Sequence, residues 1–333
     1  MGMQGNTPEI QNLKIVPVIL AGGMGKRLRP LTGEKSPKPF LRVFSKYSLF
    51  QNTVLRVSNF QKPIIVCHHS YLDHVVEHLS EINVTPRAII LEPYHKGTAA
   101  AIAMAAFYLK NKGEYMLVLP SDHVLGTEGT IKTANSDDIS QDAQSRPAQK
   151  KYFEYLTRRA AENSGDKIVI IGAKPSRVET GYGYILHQDL TADNCAKVTK
   201  FLEKPEQEEV VKILKQGGCL WNTGIFVSKP RVFLKELKAA QSDIYEFAQR
   251  AFYAGEEIKN TYIPSAHDFV KIPTMSIDYA MMECSKNMYV AKMTLPWSDV
   301  GTWPQILRLK IDKMLKKPML RPISKMFFHR KYR

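Results

Sequence analysis

The chain has 333 residues, 44% of them hydrophobic, and a formal net charge of +15. That is enough to bury one large α/β domain, or one domain with a smaller appendage. No run of eighteen apolar residues occurs, which excludes a transmembrane helix. Residues 304–333 hold ten Lys or Arg against the single Asp312, so nine of the excess charges sit in that tail, which reads as a solvated or disordered segment, and specific nucleic-acid binding is not expected.

The start, MGMQGNTPEIQNLK, lacks the apolar centre of a signal peptide, and Asn6 stands where myristoylation needs Ser or Thr. Cys67, Cys195, Cys219 and Cys284 are scattered without a C-x-x-C pair, which suits reduced thiols used in packing. A cytoplasmic protein is expected. The first apolar run, Ile15 to Leu20, predicts a strand that breaks into AGGMGKRLRPLTGEKSPKPF. Two familiar phosphate loops fail there by counting. A Walker A loop would need glycine at Leu20 and Ser or Thr at Arg27, and a dinucleotide fingerprint begun at Gly23 and Gly25 would need glycine at Leu28. A plain strand-to-helix turn with solvated cations is the bland alternative.

Further strands are predicted at Pro63 to Cys67, Ala88 to Leu91, Tyr115 to Leu119 and Lys167 to Gly172. Between them lie an amphipathic helix, YLDHVVEHLSEI from Tyr71, and an Ala-rich one, TAAAIAMAAFYLKN from Thr98. The alternation argues for parallel strands with crossover helices, and such sheets bind ligands beyond the carboxyl ends of their strands. The glycine loop after Leu20 and the SDH after Pro120 both fall at such ends. His68, His74 and His78 have no acidic or Cys partner that would complete a metal site, so a solvated helix face is expected. His123 is read as a structural neighbour rather than a ligand. Residues 126–149 are polar and predict a flexible surface excursion. After Gly172 come short strand-like pieces, GYGYILHQ, KVTKFLEKPE and LWNTGIFVSKP, with a helix from Glu206 to Gln216, read as a lobe covering the first half.

The ordered series LAGGMGKRLRPL, SPKPF, LEPYHKGTAAAIA, LPSDHVL, ETGYGYI, FLEKPE, LWNTGIFV, SIDYAMME and WSDVGTW resembles the nucleotidyltransferase domain of bacterial mannose-1-phosphate guanylyltransferases, over roughly residues 13–305. The resemblance implies an α/β, Rossmann-like nucleotide-diphospho-sugar transferase fold, with a mainly parallel central sheet flanked by helices and a small sugar-binding lobe. It implies formation of GDP-mannose and pyrophosphate from GTP and mannose 1-phosphate, with Mg²⁺, and is compatible with a homodimer. Two polyanions must then meet, and like unit charges about 4 Å apart repel by about 4 kcal/mol at an effective dielectric of about 20, so fixed cations are needed. Arg27 and Lys38 are assigned to the triphosphate, beside Ala21, Gly22, Gly23 and Gly25, whose backbone N–H groups suit phosphate. Asp122 and Asp299 are assigned to Mg²⁺, each with a bland alternative as a helix or turn cap. Lys204 is assigned to the sugar phosphate, with Glu179, Gly183, Glu203, Asn222 and Thr223 for the sugar. Gly97, Thr98, Ala99 and Asp122 complete the nucleotide site.

The sequence departs from the family at Lys96 and Gly97, where the family usually has Arg-Asn, and at Pro39, where it usually has Gln. A basic tail from 306 replaces the β-helical segment or isomerase domain common in the family, so isomerase activity is not expected. Rival readings are a pyrophosphorylase for another nucleotide and hexose, a non-catalytic sugar-nucleotide sensor, and a protein whose basic tail binds nucleic acid or membrane.

Overall fold

In a computed structural model the described residues are 12–126 and 146–307, apart from 24, 26, 27, 30, 31, 34, 35, 302, 304 and 305. The first strand, β1 (Ile15–Leu20), alternates its side chains between two cores: Val16 and Val18 join one, Ile15 and Ile19 the other. A strand that is apolar on both faces must be covered on both, which places β1 at the centre of a sheet. Helix α1 (Leu49–Arg56) follows, opened by a capping box in which Ser48 Oγ accepts from Gln51 N and Gln51 Oε1 accepts from Ser48 N. Then come β2 (Ile64–His68), α2 (Leu72–Ser80), β3 (Ala88–Glu92), α3 (Thr98–Leu109), β4 (Tyr115–Pro120) and the short β5 (Val124–Leu125). All but Thr98 and Tyr108 of α3 are buried. Its small alanines let it lie flat between the sheet and the later helices.

The second half runs α4 (Arg146–Ser164), β6 (Ile168–Ala173), β7 (Tyr184–His187), β8 (Cys195–Leu202), α5 (Gln207–Gln216), β9 (Cys219–Ser228), α6 (Pro230–Ala240) and α7 (Ser242–Tyr253). It closes with β10 (Glu256–Ile258), β11 (Thr261–Ile263), α8 (Ala266–Phe269), a π-type turn at Asp278–Met282, β12 (Met288–Met293) and β13 (Trp297–Ser298). One sheet takes eleven strands in the order β10-β11-β3-β2-β1-β4-β9-β6-β12-β8-β7. Strands β11, β3, β2, β1 and β4 are mutually parallel, as the alternation of strand and helix requires. Beyond them the sheet is mixed, because β9 runs antiparallel to both β4 and β6. Parallel pairing thus runs unbroken from β11 to β4 and recurs between β6 and β12, within the α/β fold expected.

Three local expectations are corrected. Helix α4 already holds residues 146–149, the end of the expected polar excursion, because Phe153, Leu156 and Ala160 bury on its inner side and carry its polar first turn with them. His78 is not solvated: it is buried, with its Nδ1 2.8 Å from Ser48 Oγ, and so ties α2 to the cap of α1, while His74 stacks on Phe40. Cys67 and Cys195 are buried in the core, but Cys284 is exposed and packs against nothing central. Residues 127–145 and the tail from 308 lie outside the described residues.

Candidate active site

The carboxyl ends of β1 and β4 lie side by side in register, Leu20 opposite Pro120, so the glycine loop and the Ser121-Asp122-His123 turn leave the sheet at one edge. Ser121 fastens them, its Oγ donating to Leu20 O at 2.6 Å. Gly25 adopts φ +64°, and a Cβ there would come within 2.6 Å of Lys38 Cβ. Glycine is thus needed both for the backbone turn and for the close approach of the lysine stem. Lys38, 7% exposed, donates through Nζ to Asp122 Oδ2 at 2.6 Å and to the backbone carbonyl of Asp299 at 2.7 Å. One ammonium therefore joins three segments more than eighty residues apart.

Asp299 is held from its other side, its Oδ1 accepting from Tyr182 OH at 3.0 Å and from Gly301 N at 3.1 Å. The next residue, Val300, is forced to φ +50°, a conformation a β-branched residue rarely adopts, and its side chain is fully buried with Leu28 and Ile306. The glycine loop and the Asp299 turn are thus packed into one another. A two-stranded ribbon completes the frame: β13 pairs with β5, Trp297 opposite Leu125, placing Asp122 and Asp299 just outside its two strands. Trp297 Nε1 donates to His123 Nδ1 at 3.3 Å, which ties the Asp122 turn to the ribbon. Burial works to raise the Asp122 carboxyl, but Lys38 and His123 beside it hold it below its ordinary value.

Two carboxylates from distant segments, with Asp299 Oδ2 accepting no hydrogen bond among the described residues, form an all-oxygen donor set. Mg²⁺ asks of a protein only one or two carboxylates, the rest of its shell coming from phosphate and water, so these residues fit it. No group of three or more His, Cys, Asp or Glu able to hold a metal occurs among the described residues, which does not bear on so sparse a site. Arg27 lies outside the described residues.

A second group of charges surrounds the loop after β8. Lys204, at φ +50°, contacts the Glu203 carboxylate, and Glu203 N donates to Glu283 Oε1 at 3.0 Å. Asn222 Nδ2 donates to Asp278 Oδ1 at 2.9 Å, while Asn222 Oδ1 accepts from Gly224 N. Burial, and then their mutual repulsion in the case of Glu203, pushes both the Glu203 and Asp278 carboxyls upward. A Cβ on Gly183 would sit 2.7 Å from Glu203 Oε2, so this glycine is what lets the carboxylate reach β7. The structure therefore brings together Gly183, Glu203, Lys204 and Asn222. Thr223 is fully buried, with its hydroxyl donating to the Ile171 carbonyl at the bulge between β6 and β9. Glu179 is spent on its own turn, accepting from Arg177 Nη2 at 2.8 Å and from Gly181 N at 3.2 Å.

The Gly97-Thr98-Ala99 turn is capped by the chain itself: Ala99 N donates to Met275 O, and Thr98 Oγ1 accepts from Ile277 N at 2.8 Å. Gly97 has φ +84°, and a Cβ there would lie 2.3 Å from Met275 O. That contact and the positive φ both demand glycine in this turn as it is folded here.

Three groups escaped the sequence reading. Tyr182 and Asp278 lay inside quoted motifs, TGYGYI and SIDYA, without a role. Glu92, the last residue of β3, is buried, its Oε1 has no hydrogen-bond partner among the described residues, and its Oε2 faces Gly22, 3.4 Å from where a Cβ would be. Burial pushes this carboxyl up to about 8. The signal available in the sequence was a charged residue at the ligand end of an otherwise apolar strand.

The family of nucleotidyl transferases matches residues 16–152 and 139–314. The chain is 35% identical over 298 residues to the alginate biosynthesis protein AlgA of Pseudomonas putida, covering 88% of this chain and 57% of that one. It is 35% identical over 299 residues to a mannose-1-phosphate guanylyltransferase of Klebsiella pneumoniae, covering 87% and 58%. The chain thus spans a little over half the length of these relatives. Among solved structures, a mannose-1-phosphate geranyltransferase from Thermus thermophilus superposes with a TM-score of 0.73 at 25% identity, over 90% of this chain and 79% of that one.

Proposed function

The chain belongs to the nucleotidyl transferase family, and on that premise we propose that residues 13–305 form a domain that makes GDP-mannose from GTP and mannose 1-phosphate. A phosphate oxygen of the sugar attacks the α-phosphorus in line, a new P–O bond forms, and the bond to the β-phosphate breaks to release pyrophosphate. The observation that carries the reading is Lys38, buried at the ligand edge of the sheet and shared between Asp122 and the Asp299 turn. A cation so fixed neutralises phosphate charge without reorganising during the reaction, and positioning with charge neutralisation is most of what phosphoryl transfer asks of a protein. Mg²⁺, held by Asp122 and Asp299, would supply the remaining neutralisation of the triphosphate.

Arg27 and the glycine loop are assigned to the triphosphate. Lys204 takes the sugar phosphate, and Glu203, Asn222 and Asp278 serve as acceptors and donors for hexose hydroxyls. Glu92 favours guanine: once ionised, its carboxylate accepts from two donors, and guanine offers two on one edge, N1–H and the 2-amino group.

The test is to supply Mg²⁺, each nucleoside triphosphate and each hexose 1-phosphate in turn, and to measure pyrophosphate release. GTP with mannose 1-phosphate is expected to give the highest kcat/KM. A preference of about tenfold or more for another pair would overturn the substrates while leaving the reaction class.

A further inference from the structure

A cavity of about 550 Å³ lies behind the Asp122 turn, between α1, α4 and the β5–β13 ribbon. Its floor is apolar, with Leu49, Leu55, Phe153 and Leu295, and its cations are Arg56 from α1 and Lys150 from α4. No carboxylate lines it among the described residues. Arg56 is half-buried, and its one hydrogen bond among the described residues is a long one, Nη2 to His123 O at 3.4 Å. Among the described residues Lys150 Nζ donates only to the neutral Ser58 Oγ, at 2.6 Å. Taking a guanidinium out of water without a carboxylate is costly, and the cost shows in its pKa, which burial lowers to about 10.

We propose that this cavity is a second, regulatory ligand site for a small organic phosphate monoester with an apolar ring body. Two separated cations suit a dianionic head, an arginine fork suits its oxygens, and the volume falls within the usual range of ligand pockets, about 300–1,000 Å³. The wall explains why occupancy would be felt at the active site. Arg56 bonds the carbonyl of His123, the neighbour of Asp122, and Val124 and Leu125 of the same wall pair with Ser298 and Trp297, next to Asp299. A ligand that draws Arg56 toward itself releases that carbonyl and loosens the turn.

The probe is 1-naphthyl phosphate, titrated into the full chain without nucleotide and followed by isothermal calorimetry. One saturable site is expected, with Arg56→Gln and Lys150→Gln each weakening binding about tenfold. Leu55→Trp, which fills the cavity without touching its charges, should abolish binding, while Lys38→Gln in the other cleft should leave it unchanged. Absence of binding to the wild-type chain, or loss in Lys38→Gln with retention in Arg56→Gln, overturns the site. The regulatory half rests on the nucleotidyl-transfer reading: pyrophosphate release should change at saturating probe in the wild type and not in Arg56→Gln. An unchanged wild-type rate overturns that half alone, since the calorimetry does not depend on turnover.

Discussion

Glu92 shows how one side chain sets a pH dependence. An ordinary glutamate gives up its proton near 4.5, whereas this one holds it to about 8 because nothing compensates its burial. The folded chain therefore binds a proton the unfolded chain has released, and stability falls as pH rises from about 4.5 to 8, then levels off. Glu92→Gln cannot ionise, so its melting temperature should gain on the wild type across that window. A gap that stays constant from pH 5 to 8 would show that the carboxyl is not perturbed. The same linkage governs substrate: if guanine engages the ionised form, KM for GTP should fall as pH approaches 8 in the wild type and lose that trend in the variant.

Turns carry the elements into place, and Gly97 is the tightest of them. Helix α3 begins there, and the 275–277 segment grips its first turn through Met275 O and Ile277 N. Gly97→Ala must accommodate a methyl 2.3 Å from a backbone oxygen at a φ of +84°. A destabilisation of about 2 kcal/mol or more is expected in denaturant unfolding, and one below about 0.5 kcal/mol would contradict the geometry. The existence of this helix, and of β1 to β4, was legible in the sequence because the apolar period and the punctuating glycines are local signals. The grip on Gly97 was not, since nothing near residue 97 names a segment almost 180 residues later. The same holds for His78, whose partner Ser48 belongs to another helix, and for Glu92, which reads like any acidic strand end until its burial is known. Lys38 was legible as a constrained cation between prolines; its two partners were not, because they arrive from strands β4 and β13.

Over the whole molecule, the large sheet is complete at β12, and β13 adds only the ribbon with β5. A chain ending at Pro296 should therefore keep its far-UV circular dichroism while losing pyrophosphate release, because Asp299 and the support of Lys38 go together. Turnover by that truncated chain would refute the place given to the Asp299 turn. The single sheet also sets the two groups of charges on neighbouring strands: β9, which carries Asn222, lies directly between β6 and β4, and Asp122 follows the end of β4 by two residues.

The lock between Leu28, Val300 and Ile306, with Trp303 Nε1 donating to Arg29 O at 3.2 Å, has a consequence for how the protein is made. On the ribosome the N-terminal strands emerge first and can begin to pair, and the glycine loop among them can meet the Asp122 turn early, but Leu28 meets Val300 only after about 270 further residues. A nascent chain thus carries Leu28 packed only against earlier neighbours such as Val43, Phe44 and Val124, and the lock closes when the Val300 segment returns to it. Maturation of the site then waits on synthesis of the Asp299 turn, however early the first strands have paired.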